Sequence, residues 1–160
     1  MAEPAVYVVE RGTTIAAPPE LVYDLIDDFR RWVEWSPWEG RDPTMQRTYG
    51  GPTSGAGATY SWKGNRKVGS GRMLMSEVDP PRRLEIAVEF LKPFKARNTT
   101  VFTLSPSGDA TAVRWTMTGK KTLLTRIMEI FTSMDKMVGK DFEQGLSQLK
   151  TAAEGSRPQR

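Results

Sequence analysis

The sequence predicts an α+β domain of about seven strands: one strand, two short helices, a six-strand antiparallel meander and a long C-terminal helix. Three observations predict it. A two-residue period rich in β-branched and aromatic side chains runs from about residue 44 to residue 120; a three-to-four-residue apolar period occupies the end of the chain; and upstream helical spacing is confined to residues 20–34. The 160 residues suit one domain, 1–154, followed by a tail, 155–160, expected to be disordered.

The first strand is read over Val6 to Ala16, where Val, Thr and Ile predominate. It ends at Ala17-Pro18-Pro19, because proline stops a strand yet fits the first turn of a helix. Leu21, Val22, Leu25, Ile26 and Phe29 then follow at helical spacing, with Glu20 and Asp24 near the positive end of the dipole. A second short helix covers Phe29 to Glu34, before Ser36-Pro37.

From Thr44 the period changes. Runs at 44–49, 57–65, 68–79, 82–92, 96–105 and 110–120 read as strands, and each junction holds Gly, Pro, Asn or Asp. Short connections at Gly64-Asn65-Arg66, Asp79-Pro80-Pro81, Lys92-Pro93-Phe94 and Ser105 to Asp109 make the set a meander. Alternation assigns the faces. Leu84, Ile86, Val88 and Phe90 oppose Arg83, Glu85, Ala87 and Glu89, and Val113, Trp115 and Met117 oppose Arg114, Thr116 and Thr118. Phe102 with Leu104, Tyr60 with Trp62, and Met73 with Met75 are inward on the same logic, subject to a bulge reversing the parity beyond it.

The last element runs from Leu123 to Glu154, with Ile127, Phe131, Met134, Val138, Phe142, Leu146 and Leu149 on one face. Unbroken it would be roughly 48 Å long at about 1.5 Å per residue, more than such a domain needs. A break is therefore expected near Thr132-Ser133, with a stop at Gly155.

Composition narrows the chemistry. The chain has no Cys and no His, so Ser-His-Asp and Cys-His nucleophiles, Cys/His zinc sites and haem ligated by either residue are excluded. Neither a metal nor a cofactor is implied. No run approaches the roughly 20 apolar residues of a membrane span, and the N-terminus lacks the features of a signal peptide, so a cytoplasmic location is expected. The net charge of +4 is uneven: residues 1–90 carry 11 basic and 13 acidic side chains, residues 91–160 carry 12 and 6. That basic half reads first as a solvated helix face and tail, second as an attraction to anionic ligands or membranes. Nucleic-acid motifs are absent.

Three segments carry a resemblance. Ile15-Ala-Ala-Pro-Pro-Glu-Leu-Val-Tyr23, Trp32-Val-Glu-Trp-Ser-Pro-Trp38 and Met134 to Lys150, in this element order, resemble the START and birch-pollen-allergen superfamily, and within it bacterial members of the polyketide cyclase/dehydrase and lipid-transport group. The match covers residues 6 to 154. It implies the helix-grip fold, a curved sheet wrapped on the C-terminal helix with a cavity between them, and functions ranging from lipid carriers and receptors to cyclases and chaperone ATPase activators. No catalytic residue is common to that superfamily, so the fold locates a site without choosing a reaction.

The candidate ligand-binding residues are Trp35, Tyr60, Trp62, Met73, Met75, Phe90, Phe102, Trp115 and Met117 on the strands and the early helices, facing Met134 and Val138 on the last helix. Such an aromatic and thioether surface either fills itself as core or lines an apolar pocket. Of the clustered indoles, Trp32 is read as structural and Trp35 as lining. Tyr60, Asn98, Arg97, Arg11 and Glu77 are the polar groups that parity places best for acid–base work; none is assigned a catalytic role. The small-residue stretch 50–57 lacks the ending of a phosphate loop and is read as a lip of the cavity. Residues 122–132 carry more apolar side chains than one inward stripe needs, which fits packing or a homodimer contact, or a gate in transient contact with a membrane.

The leading expectation is a carrier for a small hydrophobic ligand, a lipid, isoprenoid or polyketide, entering near 35–38, 50–57 and 122–132. An enzyme of the cyclase/dehydrase type using the same cavity, and a protein-interaction module such as a chaperone ATPase activator, are the alternatives.

Overall fold

The computed structural model describes residues 6–39, 43–65, 68–92, 95–120 and 134–155. Strand β1 is Val6–Ile15, helix α1 Pro19–Asp27, and a 3-10 helix follows at Phe29–Glu34. Strands β2 to β7 are Gln46–Gly50, Thr59–Lys63, Ser70–Asp79, Arg83–Lys92, Ala96–Ser107 and Ala110–Lys120; helix α2 is Met134–Gly155.

The expected order is therefore observed. The stretch 121–133, including the expected helix break and the apolar run 122–132, lies outside the described residues, as does the tail beyond 155.

Local chemistry sets the boundaries. Pro18 is extended, and its carbonyl accepts from the N–H groups of Leu21 and Val22 to start α1, with Pro19 in the first turn where no N–H is needed. Asp28 is extended and ends the helix, and its carboxylate accepts from Arg30 N at 2.9 Å to begin the 3-10 helix. Between β6 and β7 only Gly108 and Asp109 remain in the turn, and Gly108 takes the left-handed conformation it requires, φ +61°. Ser105 and Pro106, expected in that loop, instead extend β6: Pro106 lies opposite Thr111 near the strand end, where a missing N–H is tolerated.

The sheet is a single antiparallel layer in the order β1-β7-β6-β5-β4-β3-β2. Its register aligns the inward side chains in rows. One row reads Tyr7, Gly119, Asn98, Val88, Met73, Tyr60 and Tyr49 from β1 to β2. The next reads Val9, Met117, Thr100, Ile86 and Met75, and the one beyond it Arg11, Trp115, Phe102 and Leu84. On the other side of the Tyr7 row, Phe90, Gly71, Trp62 and Arg47 align.

A bulge between Met75 and Glu77 reverses the parity of β4. Val78 turns toward the core and the Glu77 side chain, which uninterrupted alternation places inward, is 69% exposed beside Arg83.

Helix α2 packs mainly along β1. Its end is held by the Glu154 carboxylate, which accepts from Ala16 N at 2.9 Å, and by Lys150, which donates to Thr14 O at 3.1 Å. Two glycines of α2 let it approach closely. The Arg11 guanidinium occupies the space over Gly139, and Trp115 presses on Gly145.

Candidate functional site

The concave face divides into a sealed end and an open end. At the sealed end Trp32, Trp35, Phe102, Trp115 and Phe142 pack as tilted, edge-on and stacked rings with centroids 4.0–6.2 Å apart. The Trp32 and Trp35 indoles donate to Ile26 O and Leu25 O at 2.8 and 2.7 Å, fixing the 3-10 helix to α1. Phe102 and Met75 are 0% exposed, Trp35 1% and Trp115 2%. Side chains so enclosed form the packed floor of the domain. Among the described residues the indole N–H of Trp115 has no hydrogen-bond partner.

At the open end, inward side chains keep accessible surface. Trp62, Met73, Phe90 and Val138 are half-buried against the core, and Tyr7 and Tyr49 with them. Trp62 lies across β4 in the gap left by Gly71, where any Cβ would meet its six-membered ring, and reaches Phe90 on β5 edge-on at 5.7 Å. Its N–H donates to Val68 O at 3.0 Å. A depression of about 290 Å³ lies among Arg72, Glu89, Phe90, Leu91, Lys95, Ala96 and Arg97, and the outward, mutually paired Arg72, Glu89 and Arg97 place it away from the concave face. A second groove, of about 590 Å³, lies away from this face between Val33 to Pro37 and the Gln144 to Ala152 side of α2.

Two polar clusters border the open end. In the first, the Tyr60 hydroxyl donates to Glu39 Oε1 at 2.8 Å, and Arg47 donates to Glu39 Oε2 at 2.6 Å and to Glu39 O at 2.8 Å. Burial, then the bond to Glu39, raises the Tyr60 pKa, so the phenol stays protonated. In the second, the Thr100 hydroxyl donates to Asn98 Oδ1 at 3.2 Å, with Asn98 8% and Thr100 6% exposed. Tyr7 reaches this pair across Gly119; burial raises its pKa and a hydrogen bond from Asn98 offsets part of the rise.

The structure thus separates the candidate residues. Trp62, Met73 and Phe90 on β3 to β5 keep accessible surface, as does Val138 on α2 beside β1, and Met117 is 8% exposed, while Trp35, Met75, Phe102 and Trp115 belong to the sealed floor. Tyr60, 3% exposed, joins floor to rim. The side chain of Met134 lies outside the described residues. Among the polar candidates, Asn98 is inward, Arg11 lies on the inner side under α2, and Arg97 is outward, its side chain 84% exposed and paired with Glu89 at 2.9 Å.

The loop 50–57, read as a lip, is tied down at the other end of its strands: Gly55 N donates to Asp27 O and Gly57 N to Met75 O. Sequence reasoning missed Glu39, Tyr7, Gly71 and Gly119. Glu39 stands in an irregular segment without period. The two glycines carry one signal, a small residue at an inward position of a strand otherwise lined by large ones.

Among the described residues no group of Asp and Glu side chains is arranged to hold a metal ion, and no helix is long and apolar enough to cross a membrane.

Comparison with known proteins adds the following. The family model for polyketide cyclase / dehydrase and lipid transport matches residues 7–154. No functionally curated protein matches the chain by sequence. Among solved structures, a protein of unknown function from Staphylococcus aureus, SA2116, superposes with a TM-score of 0.71 at 13% identity, over 96% of this chain and 97% of its own. Ara h 8.0201 gives 0.60 at 13% identity, over 94% and 97%. DynU16, from the dynemicin biosynthetic locus, gives 0.65 at 16% identity over 94% of this chain, which spans only 48% of DynU16. At such identities these likenesses establish the fold, which is the helix-grip fold.

Proposed function

Because the chain belongs to the polyketide cyclase / dehydrase and lipid transport family, we propose that it binds and carries a small hydrophobic ligand, a lipid, isoprenoid or polyketide-like molecule, on the concave face between the sheet and α2. The observation that supports this reading is that Trp62, Met73 and Phe90 on the inner side of the sheet, and Val138 on α2, are only partly buried, whereas the other end of the sheet is fully packed. Large apolar side chains that face inward and still retain accessible surface offer a ligand area whose burial drives binding. Met73 and Met117 make the wall adaptable, since a thioether chain repacks at little cost. A cytoplasmic carrier is the form this function takes.

Native mass spectrometry of freshly purified protein, followed by solvent extraction, tests the proposal. A stoichiometric hydrophobic passenger is the expected result. A clean apo mass, together with no uptake of a long-chain fatty acid or a polycyclic ketone added in excess, would sink it.

A cyclase/dehydrase-type enzyme is the second reading, and the convergence of Tyr60, Glu39 and Arg47 is the observation in its favour. It ranks second because those groups satisfy one another: both Glu39 oxygens are engaged and the Tyr60 proton is already donated. A general acid needs a proton directed at the substrate. The protein-interaction reading rested on residues 122–132, outside the described residues.

A further inference from the structure

Tyr7, Asn98 and Thr100 form a polar cluster at the border of the open end of the concave face. Tyr7 is on β1 and Asn98 on β6, with β7 between them. The position between is Gly119, paired with both. A Cβ at 119 would collide with the Tyr7 ring and hydroxyl, so the phenol lies across β7 through the space that glycine leaves and presents its oxygen to Asn98.

The hydrogen-bond inventory of the trio is unbalanced. Asn98 Oδ1 accepts from the Thr100 hydroxyl at 3.2 Å, so the carboxamide turns its NH2 toward Tyr7. The phenol oxygen lies over Gly119, whose partner on β6 is Asn98. The amide NH2 and the phenol O–H are both donors, and among the described residues neither is paired with an acceptor outside the trio. Their neighbours in the sheet are apolar, Val88 beside Asn98 and Met117 beside Thr100. Neither donor is sealed away, so both are open to an acceptor that approaches over the concave face.

We propose that Tyr7 and Asn98 are specificity-determining residues that hydrogen-bond a carbonyl oxygen of the ligand, so that the protein selects oxygenated apolar molecules over hydrocarbons of the same shape. This rests on the carrier reading of the same face. Thr100 positions the amide, and Gly119 positions the phenol. The apolar body of the ligand extends from this oxygen toward Met73, Phe90 and Trp62.

The experiment uses two naphthalene dyes titrated by fluorescence into the full-length protein: 6-propionyl-2-(dimethylamino)naphthalene and its 6-propyl counterpart, which has CH2 in place of the carbonyl. In the wild type the ketone binds more tightly than the propyl dye, and its emission is shifted to the red as a hydrogen-bonded carbonyl requires. Tyr7→Phe, which keeps the ring over Gly119, and Asn98→Leu each lower the ketone-to-propyl affinity ratio by about fivefold to tenfold and move the ketone emission to the blue, while propyl-dye affinity stays within about twofold. Thr100→Val lowers the ratio less. An unchanged ratio and emission in both Tyr7→Phe and Asn98→Leu overturn the anchor and leave the carrier reading standing. Binding of neither dye to the wild type overturns both.

Discussion

Trp115 on β7 and Phe142 on α2 stack face to face, their ring centroids 4.0 Å apart and their planes 10° from parallel. Phe102 and Trp35 close on Trp115 from the sheet and the 3-10 helix, at 4.8 and 5.7 Å. This is the junction of three elements far apart in sequence. Trp115→Ala is expected to cost about 3–5 kcal/mol in urea unfolding, the range for deleting a large buried aromatic. A double-mutant cycle with Phe142→Ala should return a coupling of about 0.5–1.5 kcal/mol for the stack itself.

Gly119→Ala places a methyl group where the Tyr7 ring lies. In an ordinary strand the change would be neutral or favourable; here it should destabilise by about 1–3 kcal/mol through overpacking. The measurement is thermal or denaturant unfolding of the single variant and of Gly119→Ala in a Tyr7→Ala background. If the ring is the obstacle, the second comparison shows little or no cost.

Val138 on α2 is partly buried against the core. Val138→Trp should fill ligand space and weaken uptake of the extracted passenger or the ketone dye by at least about tenfold, with far-UV circular dichroism and Tm close to wild type. Retained binding in a folded variant would remove this face as the ligand site.

Asp27 ends α1, where the carbonyl end of the helix dipole disfavours a negative charge. Burial, then the neighbouring Asp24 and Asp28, pushes its carboxyl up to about 6 against the lowering effect of Arg31. The folded state therefore holds this proton more tightly than the unfolded chain does. Stability from this group is present below about pH 4 and falls as the pH rises through about 6. Asp27→Asn should stabilise at pH 7.5 by on the order of 1 kcal/mol, after discounting for the solvent around this half-exposed carboxyl, and the gain should vanish near pH 4. Unfolding curves at the two pH values decide it.

Tyr60→Phe removes the donor to a Glu39 that remains paired with Arg47. The expected loss is about 1.5–3 kcal/mol of stability, as for a hydrogen bond to a charged group, with ligand affinity within about twofold. Turnover of a polyketone substrate by the wild type, abolished in this variant, would instead promote the enzyme reading.

Much of this architecture was legible because its periods are clean. The alternation Leu84, Ile86, Val88, Phe90 is undisturbed along β5, and the stepping Phe142, Leu146, Leu149 is undisturbed along α2, so both faces followed from spacing. Parity failed at Glu77, because a bulge after Met75 has no signature in the side chains around it. The division of the concave face into floor and rim was not legible. Trp35 and Trp62 are both inward indoles in sequence terms; which is sealed depends on how the 3-10 helix lies over the sheet. Nor could spacing find the Tyr7 and Asn98 pairing, since it depends on the register of β1 against β7 and on the absence of a side chain at Gly119.

The neighbour relation of β1 and β7 also orders how the chain can assemble. Every other strand pair joins sequence neighbours through one connection, and can form as soon as its hairpin has been made. β1 pairs Ile15 with Thr111 and Val6 with Lys120, so the first strand synthesised must wait for the last. Until β7 is made, Tyr7 and Arg11 have no partner strand, and α2, which packs along β1, is synthesised after both. The loop closed by that pairing is nearly the whole domain, and its entropy is offset by the β1–β7 ladder together with the docking of α2 on β1. The inner face of the sheet is therefore complete only when the two ends of the domain meet.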